Sequence, residues 1–252
     1  MAVVALRLSG PLQSWGSGSK FVRRTTETAP TKSGVLGLVA AAKGIRRTEP
    51  LTELLGLTFG VRVDQPGQLV RDFQTAQRQR KERDGSTTWR SLPLSYRYYM
   101  SDAAYVAVLE GDRALLDGID AAVRSPVFPL YLGRRSCPPA GPIALGVFDY
   151  DAATALEQLP WRASVQHQRR RRGEAQVPLE TVRDATPGEP EAETIHDEPV
   201  SFDPNRRQYG WRSVVRGTVV VDNPQADGSD RADAPGTGAP VEHDPMSVLP
   251  GG

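Results

Sequence analysis

The feature that most limits the folds open to this chain is the switching of its hydrophobic period, between two and roughly 3.6, along residues 1–150. Val4, Leu6 and Leu8 alternate with smaller or polar neighbours, as a half-buried strand does. Thr31 or Ser33 can then cap a helix running through Val35, Leu36, Val39, Ala40 and Ala42 to about Gly44. Its apolar residues go most of the way round, so it is expected to be buried against a sheet. Phe59, Val61 and Val63 alternate as a second strand, closed by the turn Gln65-Pro66-Gly67. A further strand opens at Leu69 to Phe73, and alternation resumes from Tyr99 to Glu110, at Tyr105, Ala107 and Leu109. Asp112 begins a second helix, with Leu115, Leu116, Ile119, Ala122 and Val123 at helical spacing and Pro126 as its stop. Ile143 to Tyr150 reads as the fourth core strand.

The order β-α-β-β-α-β is the ferredoxin-like arrangement used by RNA-recognition domains, an α+β class. Its core falls at 1–72 and 98–150. Between them Gln74 to Ser91 is almost wholly polar, with Gly85 at its midpoint. Such a stretch lacks the apolar surface to fold in isolation and reads as a projecting hairpin over about 74–97. After Asp151 the pattern weakens to a short helix through Leu156 and Leu159, then the run Arg169 to Arg172. Residues 184–199 read as an acidic, Pro-rich excursion, ordered or loose, and Trp211 to Val221 as a strand. Residues 151–221 are therefore expected to form a small β-rich C-terminal domain. Residues 222–252 are expected to be a disordered acidic tail.

A net charge of +1 conceals an asymmetry. Residues 1–173 carry 25 Lys/Arg against 15 Asp/Glu, whereas residues 174–252 carry 6 against 15. A basic body with an acidic end suits a polyanion binder. The single Cys137 excludes an internal disulfide, and no stretch approaches the ~18 apolar residues of a membrane span, so a cytoplasmic location is expected.

Four constellations could carry chemistry. YLGRRSCP, Tyr131 to Pro138, sets two adjacent guanidinium forks on a Gly-bounded loop, far in sequence from any carboxylate. Guanidinium groups bind phosphate oxygens two at a time, although a solvated basic turn is an equally simple reading. In the loop after the first strand, Trp15 offers a ring for a base and Gln13 a base-edge contact, followed by Lys20, Arg23 and Arg24. Trp15 folded onto the core is the alternative. Lys32 and Ser33 open the first helix, where free amides favour an anion, without the Walker spacing. The hairpin adds Trp89, Tyr96 and many basic residues.

The blocks GPLQSWG (10–16), PTKSGVLGLVAAAKGI (30–45), RDFQTAQ (71–77), YYMSDAAYVAVL (98–109) and YLGRRSCP (131–138) resemble, in order and spacing, the Cas-five-type subunits of type I-E CRISPR surveillance complexes. The resemblance implies a modified RNA-recognition (RAMP) fold, a thumb hairpin and a small C-terminal domain. It implies a non-catalytic role: capping the 5′ handle of CRISPR RNA and touching the large subunit and the first backbone subunit. Target DNA would be engaged only through the complex, with no membrane, metal or cofactor. By motif match it places Gln13, Trp15, Lys32, Ser33, Arg71, Arg97, Tyr131, Arg134, Arg135, Ser136 and Cys137 around the handle.

Two other readings stay open. One is metal-independent cleavage of precursor CRISPR RNA, which needs a proton-transfer group beside the 2′-hydroxyl. His167, His196 and His243 all fall after the core, which disfavours it. The other is a structural wedge whose RNA contacts are incidental.

Overall fold

The computed structural model describes residues 1–16 and 23–227. Lys20 and the tail from residue 228, part of the segment expected to be disordered, lie outside the described residues. In chain order the elements begin with β1 (Ala2–Ser9), β2 (Leu12–Gln13), β3 (Arg23–Arg24), α1 (Lys32–Ala42), α2 (Thr52–Leu55) and β4 (Thr58–Gln65). The projecting segment and its return supply β5 (Gln68–Gln74), β6 (Gln77–Lys81), β7 (Thr87–Ser91) and β8 (Ser95–Ser101). Then come β9 (Ala104–Gly111), α3 (Arg113–Arg124), β10 (Ala144–Phe148), α4 (Ala152–Gln158) and α5 (Val165–Arg170). The chain closes with β11 (Gln176–Asp184), β12 (Glu193–Ser201) and β13 (Gln208–Asp222). Among the described residues no helix is long and apolar enough to cross a membrane.

The core strands lie in the order β10-β1-β9-β4, each pair antiparallel. β1 is apolar on both faces, which explains its near-continuous hydrophobic run. Val4, Leu6 and Leu8 pack with Leu36 and Val39 of α1 and Leu116 and Ile119 of α3. Val3 and Ala5 pack on the opposite face with Ala155 and Leu156 of α4. Thr31 caps α1 by accepting from the Gly34 N–H at 3.2 Å, and Asp112 caps α3 through the N–H groups of Ala114 and Leu115.

Two expectations need correction. The single strand expected from Tyr99 to Glu110 is two, because Asp102 adopts φ +54, a left-handed conformation that Asp tolerates. β8 consequently leaves the main sheet and pairs with β2, β3 and β5. Residues 184–199, left open as ordered or loose, are largely ordered, since β12 pairs with β13 across residues 193–201. The C-terminal strands also form no sheet of their own. β11 joins β4, through Thr181 opposite Arg62 and Val182 opposite Val61, so one seven-stranded sheet runs β10-β1-β9-β4-β11-β13-β12.

A buried ion pair holds the segment after α4 onto β4. Arg62 and Asp64 side chains are both 0% exposed and meet at 2.7 Å. The remaining Arg62 donors reach the carbonyls of Leu156, Leu159 and Pro160 at 2.6–2.9 Å. The polar segment forms the expected hairpin, with β5 against β8 at its root and β6 against β7 at its tip. Phe73 and Trp89 stay 64% and 63% exposed on it, so it has no apolar interior of its own.

Candidate nucleic-acid interface

The loop between α3 and β10 is built around Gly133. Leu132 and Cys137 are fully buried and anchor it, and the Leu132 N–H donates to the Cys137 carbonyl at 2.7 Å. The Ser14 N–H reaches the Leu132 carbonyl at 3.1 Å and docks the loop on the end of β2. Gly133 has φ +89, and a Cβ there would lie 1.8 Å from the Ser14 carbonyl oxygen. Only glycine fits this close approach.

The two arginines that follow have different surroundings. Arg134 donates to the carbonyls of Tyr98 at 3.1 Å, Arg24 at 2.8 Å and Thr25 at 3.3 Å, and its guanidinium lies 4.8 Å from the Tyr99 ring centroid. It therefore clamps β3 and β8 together. Arg135 is exposed and has no hydrogen-bond or ion-pair partner among the described residues. Its fork is available to a ligand.

Both arginines line a cleft of about 1510 Å³. Its floor is the small-residue face of α1, including Gly34, Gly37, Ala40 and Ala41. One wall is the loop, with Phe128, Pro129 and Tyr131; the other is the β12–β13 end, with His196, Phe202, Arg207 and Tyr209. Among the described residues the lining holds six arginines (Arg24, Arg46, Arg47, Arg134, Arg135 and Arg207) and no carboxylate. Like charges gathered in a recess raise the local potential and draw a polyanion.

Several residues offered by sequence face inward. Gln13 is fully buried; its amide donates to the carbonyls of Leu8 and Ala103 and accepts from Trp15 Nε1 at 3.1 Å. Trp15 is 1% exposed and packs so tightly on Gly34 that a Cβ there would meet its ring at 2.8 Å. Trp15 reaches the cleft lining with almost none of its surface exposed and Gln13 lies beneath it, so both shape the floor, which corrects the expectation that they stand out for direct base contacts. Lys32 is also spent internally, on Asp184 at 3.2 Å and Glu198 at 2.9 Å, because the topology carries β11 and β12 past the start of α1. Ser33 is buried beside the Thr31 hydroxyl at 3.4 Å. Cys137 is buried, and burial pushes its thiol above the ordinary range.

The others reach the surface. Tyr131 is half-buried in the cleft wall, and Ser136 is exposed with its hydroxyl 3.5 Å from that of Tyr99. Arg71 stands at the root of the hairpin, 5.3 Å from the Tyr96 ring. Beside it the Arg23 guanidinium, with Arg71 adding, holds the Tyr98 phenol below its usual range. Arg97 is half-buried, and its Nε has no hydrogen-bond partner among the described residues.

Arg46, Arg47, Arg207, His196 and Tyr209 were not singled out by sequence. Arg46-Arg47 and Arg206-Arg207 are adjacent pairs like Arg134-Arg135, a signal that could have found them. His196 and Tyr209 carry no such mark, since only strand pairing brings them to the cleft.

Fold and cleft together define a mixed helix–strand protein, its main sheet antiparallel, with a cationic recess between α1, a tight loop and the far edge of that sheet. The chain belongs to the CRISPR-associated protein (Cas_Cas5) family, whose sequence model matches residues 3–215. It is 34% identical over 157 residues to the CRISPR system Cascade subunit CasD of Escherichia coli (strain K12), a match covering 56% of this chain and 69% of that protein. One solved structure it resembles, a Cas protein, is 35% identical over 89% of this chain and 97% of that one, at a TM-score of 0.67. Another, from a CRISPR RNA-guided surveillance complex, is 30% identical over 91% of this chain and 95% of that one, at 0.72.

Proposed function

We propose that this protein binds and caps the 5′ handle of CRISPR RNA inside a Cascade-type surveillance complex, without cutting it. In this reading it also anchors the large subunit and the first backbone subunit. The single observation that carries the proposal is the recess with six arginines and no carboxylate among its described lining residues. The sheet order β10-β1-β9-β4 supports treating residues 1–150 as a ferredoxin-like RAMP core, with 74–97 as its thumb. Kinship with a Cascade subunit supports the assembly. The exposed Phe73 and Trp89 suit the thumb to partner contact rather than to its own stability.

Arg135→Ala, alone and with Arg134→Ala, tests this in complex purified from cells. Losing one charge-assisted phosphate contact is worth roughly 1.5–3 kcal/mol, so RNA retention should fall about tenfold or more. The salt slope of binding should drop by about 0.7 per contact removed. Unchanged RNA content in the double variant would defeat the proposal.

One observation favours a second reading, cleavage of precursor RNA: His196 lines the cleft after all. Its Nε2 donates to the Tyr209 carbonyl at 3.1 Å, leaving Nδ1 as the group that could accept a proton. Incubation with repeat RNA in EDTA separates the readings. Intact RNA is expected; a discrete product lost in His196→Ala would establish cleavage instead.

A further inference from the structure

We infer that His196 and Tyr209, at the far wall of the cleft, form with the adjoining Trp211 a base-stacking platform for single-stranded RNA, a subsite that rests on the RNA-binding reading above. The platform arises from a one-residue slip between β12 and β13. Ile195 pairs with Arg212 and Glu198 with Gly210, so His196 and Asp197 together stand opposite Trp211. A bulge of this kind re-aims the side chains that flank it.

Asp197 turns inward, where it is 3% exposed. Its carboxylate accepts from Arg212 Nη2 and from the Lys32 N–H at the start of α1, both at 3.0 Å. His196 is thereby left facing outward, and its hydrogen bond to the Tyr209 carbonyl holds the ring in place. The imidazole centroid lies 4.7 Å from the Trp211 ring at 49° and 6.3 Å from the Tyr209 ring at 77°. Trp211 remains 69% exposed although its strand neighbours Arg212 and Val214 are buried. A large indole standing in water beside a second ring is surface held ready for a flat partner.

Charge decides what that partner is. Arg207 lies 5.8 Å from the Tyr209 ring, and Arg207, Tyr209 and His196 line the same carboxylate-free recess as Arg134 and Arg135. A strand whose phosphates follow the arginines would bring its bases to these rings. At about 1510 Å³ the recess also exceeds the roughly 300–1,000 Å³ of a small-molecule pocket, so it suits a polymer segment.

The full chain is titrated with a fluorescein-labelled oligoadenylate RNA, about eight nucleotides long, at several salt concentrations. Trp211→Ala is expected to weaken binding about tenfold, and His196→Ala by a similar factor, given the range for one stacked base. Trp211→Phe should retain binding within about threefold, because a ring is kept. The salt slope should be unchanged in all three, since no phosphate contact is lost. Wild-type affinity in Trp211→Ala and His196→Ala, with Arg134→Ala/Arg135→Ala weakened, would overturn the platform and leave RNA binding standing. Loss of complex assembly with RNA affinity intact would mark the rings as a protein contact and likewise overturn it. No binding by the wild-type chain would overturn both readings.

Discussion

Gly133→Ala is expected to abolish retention of RNA and to lower the melting temperature by roughly 10 °C. The reasoning is geometric. At φ +89 any L side chain is strained, costing ~1–3 kcal/mol, and here the new Cβ would sit 1.8 Å from the Ser14 carbonyl oxygen. Backbone cannot swing aside as a flexible side chain can, so the loop must lift off the end of β2. Lifting it breaks the Ser14–Leu132 hydrogen bond and withdraws Leu132 and Cys137 from the core. The total should reach about 3 kcal/mol or more, and each kcal/mol shifts the melt by roughly 2–4 °C for a chain of this size. Arg134 and Arg135 move with the loop, so the cleft loses one wall at the same time. Gly85→Ala is the control: its φ is +83, but nothing lies within 4 Å of the added atom. It should cost about 1 kcal/mol and leave RNA binding alone. Thermal melting and RNA content of both variants measure this; wild-type behaviour of Gly133→Ala would mean the loop is not seated against Ser14.

Arg62→Met is expected to destabilise the protein by about 3–5 kcal/mol, the loss typical when one member of a buried ion pair is removed. Asp64 would keep its carboxylate in a fully buried site, still accepting from the Arg162 N–H. Three carbonyls, of Leu156, Leu159 and Pro160, would lose their donor as well. Each unsatisfied buried group adds about 1–3 kcal/mol, so relaxation of the α4 end must absorb part of the cost. Chemical denaturation with circular dichroism reads the effect. A change below about 1 kcal/mol would show that the pair contributes little and that packing of α4 holds the segment.

The core was legible because its chemistry is local. α1 read as buried nearly all round, and Leu36, Val39 and Ala42 are buried. The β9 alternation of Tyr105, Ala107 and Leu109 read as it folds. β12 was not legible, because its inward positions are Asp197 and Pro199 rather than Val or Ile. Asp197 is affordable there only because Arg212, fifteen residues away in sequence, reaches it. The same long-range pairing explains Lys32, which looks free beside Ser33 and Gly34 but meets carboxylates from β11 and β12. Arg134 and Arg135 are indistinguishable as letters. Their difference depends on the carbonyls of Tyr98, Arg24 and Thr25, which come to hand only once β3 and β8 run parallel. Gln13 and Trp15 belong to the same class: a buried amide is costly unless matched, and the carbonyls of Leu8 and Ala103 that match it are set by the fold.

Because β4 hands its ladder directly to β11, the aromatic side of the recess is carried by the same continuous sheet as the core strands. A guest therefore enters a ready-made mould rather than a closing jaw. Little freedom is left to freeze on arrival at that wall, which favours quick seating and slow departure.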